Sequence, residues 1–277
     1  MISAEKQTAE NHVIRKVCDT KKEAVAVNIA YTEQYKSVLT RYDRVFRPEH
    51  RHTYRSEEHI CPLSEELLIR TYYYEEELDG FHIHASENFL QTYSGRTLYI
   101  WRNLHDDAEF SKLISHSNGR HYLIFRRDLY GYSVLEIETM QEFHYIPHQA
   151  YPAEGEKFSE TFIWTGVEYD ACTNLLAVEG CYWACPSSVV LLDFTNPLAE
   201  HGCEEWADLQ ELIDADYTTY EDIEFSKWDG AQGKLYITAY NNTTDTKENL
   251  LLNISKQTQN KEHFITAGGW NIEKAES

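Results

Sequence analysis

Histidine, cysteine and carboxylate side chains hold metals and move protons, and four stretches of this chain gather them closely. GCYWACPSS (180–188) sets Cys181 and Cys185 four residues apart around Tyr182 and Trp183. Two thiolates brought together there could chelate a metal or cycle as a redox pair. FHIHA (81–85) places His82 and His84 two apart, on the same side of a strand, where paired imidazoles could bind a metal or serve as acid and base. A polar, proline-interrupted stretch at 44–66 carries His50, His52, His59 and Cys61. TYYYEEELDG (71–80) offers three adjacent glutamates, Glu75, Glu76 and Glu77.

Each stretch also has a plainer reading. CxxxC is not the CxxC of thioredoxin-like or zinc-knuckle sites, and no second cysteine pair accompanies it. On an extended strand the two sulfurs would stand about 13 Å apart, so only a folded-back loop joins them. His82 and His84 also suit the polar face of a half-buried strand. The 50–61 spacing matches no common structural zinc site, and Arg47, Arg51 and Arg55 oppose a cation. Adjacent glutamates cannot converge on one point and fit a solvated hairpin end. Fingerprints for nucleotides, zinc proteases, serine hydrolases and EF-hands are missing from the sequence. No cofactor is expected, and zinc is the ion that these residue types would admit.

Aromatic residues form a second candidate set. Tyr182 and Trp183 sit at the centre of the cysteine stretch, with Trp164, Trp206 and Trp228 nearby in sequence. Such rings could stack on a ligand or partner. Apolar groups at a hairpin tip must otherwise be covered by a neighbouring unit.

The elements that must position these residues read as repeated β-hairpins. NLLAVEGCYWACPSSVVLLDFTN (174–196) aligns without a gap to KLYITAYNNTTDTKENLLLNISK (234–256), matching Leu175 to Leu235, Val190 to Leu250, Leu192 to Leu252 and Phe194 to Ile254. Each copy reads strand, loop, strand after a turn signal. HYLIFRRDLYGYSVLEIET (121–139) is a third relative, and 81–101 is a looser fourth. The expected fold is mainly β: antiparallel meander repeats of propeller type, with an open curved sheet or β-sandwich as the alternative. EEWADLQELIDAD spaces Trp206, Leu209 and Ile213 at helical intervals, which predicts a short helical insert near 204–214. The chain is expected to be a single β-rich domain, with residues 1–66 irregular apart from a candidate hairpin in KEAVAVNIAY (22–31) and the repeated units in 67–277.

Charge limits the partners. The net charge is −21, and the interval between Lys157 and Lys227 contains fifteen Asp and Glu with no Lys or Arg. Such a surface repels phosphate backbones, which argues against nucleic acid. It fits solubility, a basic protein partner, loosely held divalent cations, or pairing with the more basic N-terminal part. No apolar stretch approaches a membrane span, and the N-terminal residues do not read as a signal peptide, so a cytoplasmic location is expected. Six cysteines in such a chain are expected as thiols.

Residues 162–197, FIWTGVEYDACTNLLAVEGCYWACPSSVVLLDFTNP, resemble a group of uncharacterised bacterial proteins with a comparable CYWACP segment. The resemblance implies a bacterial cytoplasmic origin and carries no activity, cofactor or catalytic residue. Three functions are weighed on the residues. The first is a protein- or ligand-binding module whose acidic, aromatic surface centres on 180–186 and the 204–224 insert. The second is a hydrolase or lyase with a metal or His/carboxylate site in a central pocket. The third is an acidic antagonist of a basic toxin or nuclease.

Overall fold

Four sheets follow one another along the chain, each a four-stranded antiparallel meander whose spatial order is its sequence order. The computed structural model describes residues 27–51, 59–78, 80–105, 110–152, 155–254 and 272–274. Sheet one contains β1 (His59–Pro62), β2 (Leu67–Leu78), β3 (Phe81–Thr92) and β4 (Thr97–Asn103). Sheet two contains β5 (Ser111–Ser115), β6 (His121–Phe125), β7 (Tyr132–Glu136) and β8 (Glu142–Tyr145). Sheet three contains β9 (Ile163–Asp170), β10 (Leu175–Cys181), β11 (Ser188–Asp193) and β12 (Glu204–Asp208). Sheet four contains β13 (Tyr220–Asp229), β14 (Lys234–Asn241), β15 (Thr246–Asn253) and β16 (Ile272–Lys274).

The sheets stack face to face in succession, because their central strands are apolar on both sides. Ile69, Leu90 and Trp101 of sheet one meet Leu123, Phe125 and Leu135 of sheet two. The other face of sheet two, with Ile124 and Val134, meets Leu176, Val178, Val190 and Leu192 of sheet three. Leu175, Ala177 and Leu191 then turn toward Leu235, Ile237 and Leu250 of sheet four. This is a propeller-like succession of blades. Among the described residues, no buried apolar cluster joins sheet four back to sheet one.

Three blades share one construction. Leu123 pairs with Leu135, Leu176 with Leu192 and Leu235 with Leu252, each pair facing the preceding sheet. Two residues before each first leucine, a backbone carbonyl accepts from the strand that returns: His121 from Ile137, Asn174 from Phe194 and Gly233 from Ile254. The second strand therefore follows the expected alignment of Val190, Leu192 and Phe194 with Leu250, Leu252 and Ile254. The first strand does not. Leu176, not Leu175, is the counterpart of Leu235, because 13 residue steps separate Ile237 from its partner Leu250 and 12 separate Val178 from Val190. A one-residue slip exchanges the faces of a strand, and here both faces are apolar, so the sequence pattern conceals it. In sheet one, the central hairpin is β2–β3, so the 81–101 relative lies one strand late.

Other expectations need correction. Glu204–Asp208 is the outer strand β12, and only Leu209–Asp214 is helical (α2, after α1 below). Asp208 caps α2 by accepting from the backbone N–H of Gln210 and Glu211, which satisfies donors that a helix start leaves free. In the N-terminal part, residues 22–26 of the candidate hairpin KEAVAVNIAY lie outside the described residues. Asn28 bridges Pro147 at the end of sheet two, and the chain enters helix α1 (Glu33–Tyr42), capped by Thr32. Two 3-10 turns, Asp43–Phe46 and Pro48–His50, follow, and His59–Pro62 of the expected loop is strand β1. Residue His52 lies outside the described residues. No helix among the described residues is long and apolar enough to cross a membrane.

Candidate functional site

Sheets two and three do not close completely on each other, and a cavity of about 470 Å³ opens beside their shared core. Its apolar wall begins with Tyr132, a residue of the strand β7. Tyr132 stacks on Trp164 of β9, with ring centroids 4.3 Å apart and planes 12° from parallel, and on Tyr145 at 5.5 Å. Buried Arg126 fixes β9 behind the ring by donating from its guanidinium to the Trp164 carbonyl at 2.7 Å. The Tyr132 hydroxyl accepts the backbone N–H of Cys203 at 2.6 Å. Gly131, at φ +86°, must remain glycine, since an added Cβ would stand 2.0 Å from the Tyr145 carbonyl oxygen. Phe162 and Tyr182 add an edge-on pair at 5.3 Å.

The polar wall is acidic. Glu160, Glu205, Asp208 and Glu211 line the cavity, and among the described residues its lining contains no Lys, Arg or His. The Glu160 carboxylate accepts the backbone N–H of Trp183, and burial pushes its carboxyl pKa up. Burial likewise raises Tyr145 to about 12 and Cys203 to about 12, so both remain neutral near pH 7. Burial, with Glu160 nearby, also raises the Cys181 thiol. Thiolate chemistry needs the opposite shift. The cavity is therefore built for recognition: flat aromatic faces beside carboxylates.

The 182–187 segment is the hairpin loop between β10 and β11, as the repeats imply. Cys185 donates its N–H to the Tyr182 carbonyl, Ala184 adopts φ +60°, and Ser187 bonds to Asp222 and Ile223 of β13. Tyr182 turns toward the cavity, whereas Trp183 is 66 % exposed at its outside edge. Trp206 and Trp228 pack instead against the core between sheets three and four, and the Trp228 indole N–H donates to the Glu168 carbonyl at 3.2 Å. Of the five aromatic candidates, Trp164 and Tyr182 line the cavity.

The histidine pair lies elsewhere, at the far end of the β2–β3 hairpin. Register places Glu75 opposite His84 and Glu77 opposite His82. The His82 and His84 rings meet edge to face at 4.6 Å. Glu75 Oε1 stands 3.2 Å from His84 Nδ1, and Oε2 stands 3.9 Å from His82 Nε2. Glu76 points to the opposite face, toward His50 Nδ1 at 2.6 Å and Arg44 at 3.4 Å. The three glutamates thus do not form one solvated end. Among the described residues, the group of three or more ligand-type side chains with converging donor atoms is Glu75, His82 and His84. Cys181, Cys185, His50, His59 and Cys61 belong to no such group.

No family model matches this chain, and no curated protein or solved structure shows significant similarity to it.

Sequence reasoning missed Glu75 as the partner of the histidines, although the signal was present. The dipeptide DG after the strand residues EEEL is a turn signal in the sequence, and the register pairs Leu78 with Phe81 and, counting outward, Glu75 with His84. It also missed Tyr132, Tyr145, Phe162 and Glu160, which reach the cavity through blade stacking and leave no local motif.

Proposed function

We propose that the protein is a cytoplasmic binding module that takes a cationic group, of the alkylammonium kind, into the cavity between sheets two and three. The observation that carries this reading is the lining itself, which among the described residues has five aromatic rings, four carboxylates and no basic side chain. A cation over an aromatic face gains roughly 0.5–2 kcal/mol, more where water is excluded. Carboxylates beside the rings add charge complementarity and speed the encounter. Both segments expected to form the binding surface contribute here: Tyr182 from the 180–186 loop, and Glu205, Asp208 and Glu211 from the 204–224 stretch. A lysine side chain of a basic protein partner and a small free amine share this chemistry. The thiols of Cys61, Cys172, Cys181 and Cys203 suit a reducing compartment.

The test is a tryptophan-fluorescence titration of the full chain with choline and, in parallel, its neutral isostere 3,3-dimethyl-1-butanol. Saturable quenching by choline, weakened by the isostere's missing charge and by Glu160→Gln, is expected. Equal binding of both compounds, or no saturation with choline, would overturn the reading.

A further inference from the structure

The geometry points to a second site, remote from the cavity and independent of it: Glu75, His82 and His84 bind a late first-row divalent metal ion such as Zn²⁺. The three donor atoms lie within 4.8 Å of one another. Ligands held tetrahedrally at roughly 2.0–2.1 Å from zinc stand about 3.3 Å apart. Glu75 Oε1 stands 3.2 Å from His84 Nδ1 and Oε2 stands 3.9 Å from His82 Nε2, so rotation of the carboxylate and the exposed His82 ring draws the donors to that spacing.

The local fold supplies the three ligands for simple reasons. Alternation along β3 sends His82 and His84 to one face, and the antiparallel register brings Glu75 beside them. The backbone beneath is held from the other face, where Arg44 donates to the Glu77 carbonyl at 2.8 Å and faces the Glu76 carboxylate. A plain carboxylate–histidine pair leaves one observation unexplained. His84 Nδ1 is buried and finds no hydrogen-bond partner among the described residues, despite Glu75 Oε1 at 3.2 Å. Buried nitrogens are nearly always satisfied, and a metal would satisfy this one.

Ligand chemistry narrows the ion. Two imidazoles and one carboxylate suit zinc and its neighbours, whereas calcium and magnesium select all-oxygen shells. Three protein ligands leave a coordination position for water, the arrangement of an open rather than a closed structural site.

The experiment is competition of the untagged full chain with a chromophoric chelator for Zn²⁺, paired with the absorption spectrum of the Co²⁺-loaded protein. Stoichiometric binding is expected, with no thiolate charge-transfer band. His82→Ala, at an exposed position, should retain the wild-type circular dichroism and thermal midpoint. Its affinity should fall by more than the roughly 10–100-fold that loss of an outer-shell partner costs. Glu75→Gln should weaken binding in the same direction, and Cys181→Ser with Cys185→Ser should leave it unchanged. Absence of stoichiometric binding, binding that survives His82→Ala, or a thiolate band abolished by the cysteine changes would each overturn the proposal.

Discussion

Tyr132 and Trp164 stack almost parallel with their ring centroids 4.3 Å apart, one ring from sheet two and the other from sheet three. The contact both closes the core between the sheets and forms the floor of the acidic cavity. Stability and recognition therefore share these two side chains.

Tyr132→Phe separates the two roles. The ring stack survives, but the buried hydroxyl that accepts the Cys203 N–H is lost. A buried donor left unsatisfied costs about 1–3 kcal/mol. The urea midpoint should fall accordingly while choline binding persists. Trp164→Ala should cost more, about 3–5 kcal/mol, and should abolish binding.

The one-residue difference between the first strands of sheets three and four makes its own prediction. Leu175 shares a core with Leu235, whereas Leu176 faces the opposite sheet. Single Leu→Ala changes at 175, 176 and 235 should each cost about 2–5 kcal/mol. In double-mutant cycles, 175 with 235 should couple by about 0.5–3 kcal/mol, and 176 with 235 should add nearly independently. The reverse pattern would return the strand to the ungapped alignment.

Acid should weaken the fold in two stages. His144, with Nδ1 at 2.8 Å from Ser133 Oγ, is held by burial below its usual 6.5. His144, with Nε2 3.4 Å from Glu142 Oε1, and the Tyr99 hydroxyl together bring the Glu142 carboxyl from 4.5 down to about 2. Both groups take up a proton more readily in the unfolded chain, so stability falls as pH falls. The His144 contribution declines once pH drops below 6.5, and the Glu142 contribution declines between 4.5 and about 2. Urea midpoints measured from pH 7 to pH 2 should show both stages, and Glu142→Gln should remove the lower one. An unchanged profile in that variant would contradict the assignment.

The hairpins were legible because NLLAVEG and SVVLLDF are apolar runs bounded by turn residues. Their facing was not, since a strand buried on both sides has no alternation to read. The 204–216 stretch misled in a related way. Trp206, Leu209 and Ile213 share helical spacing, yet pairing with β11 draws the first five residues into a strand. Aromatic type alone could not separate Trp164, at the cavity, from Trp206 and Trp228, in the next core. The acidic block divides as well. Asp170, Asp208 and Asp214 accept backbone N–H groups at turns and helix ends, Glu168 pairs with Lys112, and Glu224 pairs with Lys247. Only a subset of the acids faces the cavity, and that selection depends on contacts distant in sequence.

The most direct test of the cationic cavity is the position of the bound ammonium group. Intermolecular NOEs from the N-methyl protons of ¹³C-labelled choline should reach the ring protons of Trp164 and Tyr182 and disappear in Glu160→Gln. NOEs confined to exposed Trp183, or a pattern indifferent to Glu160, would contradict it.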